Sequence, residues 1–319
     1  MKNFSREHQV ISVLTVVLLL HSFYFNHIED DAFISFRYSK NFARGFGLVF
    51  NKGIPVEGYT NFLYTLILGV FLKLGFNDIV LAARLIGVFS AIGILFYVLK
   101  ISKLISGNSN SWFNFISCTL LSLNTAFAFW TLGGMETQLF MFFAIIGSYH
   151  YLREERISVK SVTFFILASL TRPEGILLFF LTVVHKIYVN STHKKSFLTR
   201  QELIPILIFI VLFSAYLLWR QSYYGFPLPN TFYNKVGSGI EQYKRGFRYL
   251  AEFSRDFGGI LFILPILLFT KRKVDFWLSY FSLTMVSYLA YILFVGGGTS
   301  VMYRIAVPVL PYFYVLLQE

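Results

Sequence analysis

Long apolar runs separated by short charged loops constrain this chain more than any other feature. A spanning helix needs roughly 20 apolar residues, and about ten runs approach that length: 10–26, 79–99, 112–130, 137–151, 161–172, 174–189, 203–219, 258–270, 276–294 and 303–317. Only 14% of the residues are charged, whereas soluble domains carry about 25%. The sequence therefore predicts an all-α, polytopic transmembrane helical bundle.

One further apolar run, 59–74, decides the topology. If it crosses the membrane, the basic loops 100–103 and 153–160 face outward. If it stays outside as a re-entrant or juxtamembrane helix, every short basic loop faces the cytoplasm, as the positive-inside rule requires: 100–103, 153–160, 186–200 and 271–273. We therefore predict a cytoplasmic N-terminus, an uncleaved first span, and a large first outer loop, 27–78, with juxtamembrane helices.

The same topology predicts a hairpin between 161 and 189 and a second long outer loop at 220–257. The hairpin would turn at 171–175, where Pro and Gly favour a break. The whole chain, 1–319, is predicted to form a single transmembrane domain without a C-terminal soluble domain.

Composition excludes several classes of function. The net charge is +12, but the basic residues follow membrane topology, so we predict no nucleic-acid partner. Cys118 is the only cysteine, which excludes a disulfide within the chain and a thiolate metal site. The six histidines show no paired ligand spacing, and no phosphate-binding P-loop or Gly-x-Ser-x-Gly motif is present.

Two adjacent carboxylates, Asp30 and Asp31, directly follow the first apolar run. A charged side chain close to the hydrocarbon core costs free energy, so a residue of this kind usually has a function. They either cap a helix that ends near Arg44 or include a general base. On that helix Arg37, Lys40 and Arg44 share one face, which contacts lipid head groups or holds a lipid phosphate.

Other isolated charges collect on the predicted outer face. Glu57 and Glu136 either cap the helices that follow them or contribute to a site. Arg172 and Glu174 flank a proline and either form a local ion pair or bind substrate. Arg304 follows a glycine run and either extends to the membrane interface or presents its fork of donors to a phosphate. Isolated charged residues that all lie on the predicted outer face suggest a single functional site there.

A set of motifs resembles one superfamily in both composition and order. These motifs are Asp30–Tyr38, Gly47–Asn51, Val56–Asn61, Gly133–Thr137, Leu170–Gly175, Leu228–Lys235 and the glycine run that leads to Arg304, Pro308 and Pro311. Together they resemble the GT-C glycosyltransferases, and in particular the actinobacterial cell-wall arabinofuranosyltransferases that use a polyprenyl-phosphate donor. The resemblance covers nearly the whole chain.

The resemblance implies an inverting transfer from a polyprenyl-phosphate sugar to an envelope glycan, lipid or protein. It implies a multi-pass protein of the bacterial inner membrane with an extracytoplasmic active site. Asp30 would be the base, and Asp31 and Glu57 would orient the acceptor or hold a divalent cation, the one cofactor considered. Substrate binding is predicted for Arg37, Asn61, Glu136, Arg172, Glu174, Asn230, Lys235 and Arg304.

Two other functions fit a basic polytopic protein: a lipid-linked glycan flippase and a non-catalytic scaffold of envelope assembly. A transporter needs a polar path through the membrane midplane, often with broken helices. The runs 203–219 and 276–294 carry no charge at their midpoints. The one-sided acids favour chemistry at the membrane surface.

Overall fold

The computed structural model describes residues 6–107, 111–193, 196–226, 229–230, 239–263, 275–298 and 301–319. Over these residues the chain forms thirteen α-helices and no β-strand. The helices are α1 (Arg6–Phe25), α2 (Asp30–Ala43), α3 (Phe62–Lys73), α4 (Ile79–Ile105), α5 (Ile116–Leu123), α6 (Thr125–Leu132), α7 (Thr137–Glu154), α8 (Val159–Thr171), α9 (Glu174–Thr192), α10 (Arg200–Tyr224), α11 (Ile240–Phe257), α12 (Phe276–Val295) and α13 (Leu310–Gln318).

Five of these helices are long and apolar enough to cross a membrane: α1, α4, α9, α10 and α12. The pair α5 and α6 passes the same test together, with a bend of 61° between them. The bend follows Asn124, whose side chain accepts a hydrogen bond from the Phe127 N–H at 2.8 Å and so caps a new helix. These features confirm the predicted transmembrane helical bundle.

The run 303–317 differs from the single span predicted there. It contains a short 3₁₀ turn, Val307–Val309, and then the nine-residue helix α13. Tyr303 has a positive φ of 53°, and Pro308 and Pro311 lack the N–H that a continuous helix needs. The run therefore forms two short helical segments instead of one continuous helix. Of the predicted span 258–270, residues 264–270 lie outside the described residues.

Polar contacts at the helix termini define two ends of the bundle. At the lower end, Glu7 of α1 forms an ion pair with Lys103 near the end of α4. At the upper end, Arg84 near the start of α4 donates to Asn26, just after α1, at 3.0 Å. The helices α1 and α4 therefore run in opposite directions between the two ends.

The helices α2 and α3 pack together at the upper end. The Ser39 hydroxyl of α2 donates to the Thr65 carbonyl of α3 at 2.8 Å. Gly69 permits this close approach, since a Cβ there would lie 2.6 Å from the Phe42 ring. A helix of 12 residues is about 18 Å long, shorter than the roughly 30 Å hydrocarbon core. The chain enters α2 after α1 and leaves α3 before α4, so both helices stay at the upper end.

The turn between α8 and α9 lies at the Pro–Glu–Gly segment where the sequence predicts it. The first helix ends at Thr171 and the second begins at Glu174. A Cβ on Gly175 would lie 2.3 Å from the backbone nitrogen of Ser169. The two helices can therefore pack this closely only with glycine at this position.

The region 220–257, predicted as a loop, contains regular structure. The helix α10 continues to Tyr224 and ends at Gly225, which has a φ of +81°. The helix α11 then occupies residues Ile240–Phe257 and packs on α12. A Cβ on Gly246 would lie 2.5 Å from the Leu293 carbonyl, so glycine again allows close contact.

Candidate functional site

A buried charge network joins the upper ends of α7, α8 and α9. The Arg172 guanidinium donates to Glu136 at 2.8 Å and to Glu174 at 2.7 Å. Asn61, at the start of α3, donates to the other oxygen of Glu136 at 2.8 Å. Four of the predicted substrate-binding residues therefore lie together, and they bind one another.

Further hydrogen bonds connect this network to α2. The Asn61 amide donates to the Ser35 hydroxyl at 2.9 Å and its oxygen accepts from Thr65 at 3.0 Å. Tyr64, the third residue of α3, donates to the Gly134 carbonyl at 2.6 Å. These bonds fix the helix that carries Asp30 and Asp31 against the bundle.

The charge state of Glu136 follows from its surroundings. Burial alone would raise the pKa of this carboxyl, but the charges of Arg172 and Arg304 and the hydrogen bond from Asn61 outweigh it. The net effect holds the pKa of Glu136 below its usual range. The Glu136 carboxylate is therefore ionised and paired with the Arg172 guanidinium.

A second pair brings the first outer loop next to the end of the chain. Arg304 donates to Asp31 at 3.2 Å, and the Arg304 side chain is only 14% exposed. Its guanidinium carbon lies 5.9 Å from the Trp130 ring centroid, close enough for cation–π attraction. The Arg304 Nε is buried, and within the described residues it has no acceptor.

The N-terminus of α2 presents three successive acids. Glu29 is the residue before the first helical turn, and no side chain caps this helix end. Asp30 is exposed and Asp31 is half-buried. The sequence interpretation missed Glu29, although it directly precedes the two aspartates. Burial raises the pKa of Glu29, and the nearby Arg304 opposes that effect. Of these three acids, Asp31 contacts Arg304 directly, and Glu29 lies close enough to be affected by its charge.

Glu57 is held by a different cation. Arg220, at the end of α10, donates to Glu57 at 2.6 Å, and both side chains are buried. Burial raises the pKa of Glu57, and Arg220 lowers it in part. Arg220 was also missed, although a lone arginine at the end of an apolar run is a recognisable signal. Among the residues that the structure describes, the buried Arg220 Nη2 has no acceptor.

The remaining predicted binding residues are Arg37, Asn230 and Lys235. Arg37 donates to the Phe50 carbonyl at 2.7 Å and to Asn51 at 3.0 Å, so it braces its own loop. Asn230 is exposed, and its backbone N–H donates to the Glu57 carbonyl at 3.1 Å. Lys235 lies outside the described residues.

A divalent cation at Asp31 and Glu57 is one alternative that the sequence predicts. Within the described ranges, no three His, Cys, Asp or Glu side chains lie close enough together to hold a metal ion. Asp31 pairs with Arg304, and Glu57 pairs with Arg220.

Comparison with known proteins identifies the fold. No protein-family model and no curated protein matches the sequence. The structure is similar to ArnT from Cupriavidus metallidurans, crystallised in the apo state, with a TM-score of 0.63 and 14% sequence identity. The match covers 98% of this chain and 60% of the ArnT chain. ArnT has a GT-C fold, so the predicted fold class is confirmed. The finer resemblance to arabinofuranosyltransferases stays a prediction.

Proposed function

We propose that this protein is a GT-C-type membrane glycosyltransferase. It transfers a sugar from a polyprenyl-phosphate donor to an envelope acceptor at the extracytoplasmic face of the bacterial inner membrane. The fold shared with ArnT supports the class. The observation that carries the proposal is the Asp31–Arg304 pair at the start of α2, in which the arginine is largely shielded from solvent and its charge also acts on Glu29.

Arg304 binds the donor phosphate in this proposal. A guanidinium offers a planar fork of donors that matches two phosphate oxygens, and such charge-assisted bonds are among the strongest in proteins. Asp31 and the face of Trp130 hold the guanidinium in place before the donor arrives. The donor phosphate then accepts from the terminal N–H groups of the guanidinium, whose Nη1 also donates to Asp31.

Asp30 acts as the general base. It is exposed and adjacent to the Arg304 pair along the helix. The acceptor hydroxyl loses its proton to Asp30 as its oxygen bonds to the anomeric carbon, and the carbon–phosphate oxygen bond breaks with its electrons leaving on the phosphate. One displacement of this kind inverts the anomeric centre. A positioned base contributes roughly 10²–10⁴ in rate.

The buried network has a positioning role. Glu136, Arg172 and Glu174 are satisfied by one another and by Asn61. Their hydrogen bonds fix α2 and hence Asp30 and Asp31 relative to the bundle. Glu57 and Arg220 brace the far part of the same loop.

A transfer assay tests the proposal. Purified protein is incubated with radiolabelled polyprenyl-phosphate pentoses and hexoses and an envelope lipid extract. Asp30→Asn should lower transfer by about 10² or more while the protein remains folded. Asp78→Asn is the matched control, because Asp78 caps α4 by accepting from the Leu81 N–H at 2.9 Å and should affect stability alone.

Two results would contradict the assignment. Activity of Asp30→Asn within a few-fold of the parent would return Asp30 to a structural role. Movement of the labelled donor across a vesicle membrane without transfer to any acceptor would favour a flippase instead.

A further inference from the structure

The helix α11 has three distinct faces. One face is buried and consists of Gln242, Gly246, Tyr249 and Phe253. Gln242 and Gly246 pack on the end of α12, where the Gln242 amide donates to the Phe294 carbonyl at 2.5 Å. Tyr249 and Phe253 contact the Tyr303 ring. These contacts fix the rotation of α11 about its own axis. They therefore determine which side chains the other two faces of the helix present.

A second face is apolar and open. Ile240 and Phe247 are each 70% exposed and Tyr243 is 46% exposed. A helix advances about 100° per residue, so these three side chains fall within about 60° of one another. Large apolar side chains grouped on an exposed surface mark contact with another apolar phase or a partner.

The third face is charged, with basic residues nearest the apolar face. With Ile240 as reference, Lys244, Arg255 and Arg248 lie at about 40°, 60° and 80°, directly beside the apolar face. Both signs of charge follow farther from it, with Glu241 and Glu252 at about 100° and 120° and Arg245 and Asp256 at about 140° and 160°. Basic residues therefore border the apolar face. This order is typical of helices that lie in the surface of an anionic membrane.

The apolar face of α11 continues into the exposed surface of a candidate membrane span. The Tyr243 ring lies 6.4 Å from the ring of Phe294. Phe294 is 58% exposed near the end of α12, one of the helices that qualify as membrane spans. The open face of α11 is thus adjacent to the end of a span, at the depth where hydrocarbon meets head groups.

We propose that α11 is an interfacial helix that binds an anionic lipid surface. Ile240, Tyr243 and Phe247 insert below the head groups, while Lys244, Arg248 and Arg255 contact lipid phosphates. The continuity with α12 and the basic border favour lipid over a protein partner as the occupant of this face.

This contact also bears on the site at Arg304. The Tyr249 hydroxyl accepts the Ile305 N–H at 3.3 Å, and the Tyr303 hydroxyl donates to Asp256 at 2.5 Å. The segment that carries Arg304 is therefore bonded to α11 on both sides of that residue. Insertion of α11 consequently sets the height of Arg304 relative to the bilayer.

Depth-dependent quenching tests the insertion. In a Cys118→Ala background, Phe247→Cys and the matched control Glu252→Cys are labelled with an environment-sensitive fluorophore. The full protein is placed in nanodiscs of phosphatidylcholine and phosphatidylglycerol. These nanodiscs also contain a lipid whose acyl chain carries a nitroxide close to the head group. The label at 247 should be quenched several-fold more than the label at 252. Equal quenching overturns the proposal.

A second outcome would also overturn it. If the label at 247 is shielded from water yet unaffected by the lipid nitroxide, another part of the protein covers this face.

Lipid charge is tested with the same label. Replacing phosphatidylglycerol by phosphatidylcholine should reduce quenching at 247 by about twofold or more, because basic residues near the surface gain from anionic lipid. A variant with Lys244→Gln, Arg248→Gln and Arg255→Gln should lose this dependence. Identical quenching of the parent in both lipids would overturn the anionic part of the proposal.

Discussion

Arg304 is the residue on which the proposed chemistry depends most directly. If it grips the donor phosphate through two parallel N–H bonds, Arg304→Lys keeps the charge but loses the fork. We expect donor affinity to fall by about 1.5–3 kcal/mol, the worth of a charged hydrogen bond, or about ten- to a hundredfold. Titration of a fluorescent short-chain polyprenyl phosphate measures the change.

Arg37→Lys is the control for that measurement. Arg37 is exposed and bonded to its own loop, so its replacement should change donor affinity far less. Equal dissociation constants for the parent and Arg304→Lys would remove Arg304 from the phosphate site.

Glu136 allows a prediction about pH. Its pKa in the folded protein lies below the usual 4.5. The ionised carboxylate therefore stabilises the fold above about pH 4.5, and that contribution is lost as pH falls through the lower folded pKa. Glu136→Gln should cost about 1.5–3 kcal/mol at pH 7. The difference from the parent should shrink below pH 4.5 in thermal unfolding in detergent. A difference that is independent of pH would exclude an ionised Glu136.

At the scale of elements, the α8–α9 hairpin depends on one glycine. In Gly175→Ala the new Cβ would meet backbone atoms at 2.3 and 2.5 Å, and backbone cannot rotate away. We expect a loss of about 3 kcal/mol or more, at the upper end for overpacking. In Gly53→Ala the new Cβ meets nothing within 4 Å. The free energy of unfolding should therefore fall only by the cost of a positive φ in alanine, about 1–2 kcal/mol. Unfolding midpoints compare the two, and equal losses would contradict the close contact.

At the scale of the whole molecule, the sidedness of α3 decides whether the proposed site is single. Thr60 and Asn77 flank α3 and are exposed. As single cysteines in a Cys118→Ala background, both should react with an impermeant thiol reagent added outside. Lys160→Cys should react only after permeabilisation. If Asn77→Cys also requires permeabilisation, α3 spans the membrane and the acids divide between its two sides.

Features that depend on nearby residues were predictable from sequence. The helix bearing Asp30 was expected to end near Arg44, and α2 ends at Ala43. The turn at Pro173 was predicted because proline and glycine act on their immediate neighbours. Asn61, Glu136, Arg172 and Glu174 were each singled out as site residues, although their contacts with one another were not foreseen.

The sequence by itself determined that this protein is a bundle of membrane helices. Each apolar segment is long enough or too short to cross the bilayer by its own length and polarity, whatever the other segments do. Only the tertiary structure decided which charges meet. Asp31 and Arg304 are 273 residues apart, and Glu57 and Arg220 are 163 apart. A buried charge needs a partner, but helix packing selects that partner, and packing depends on the whole chain at once.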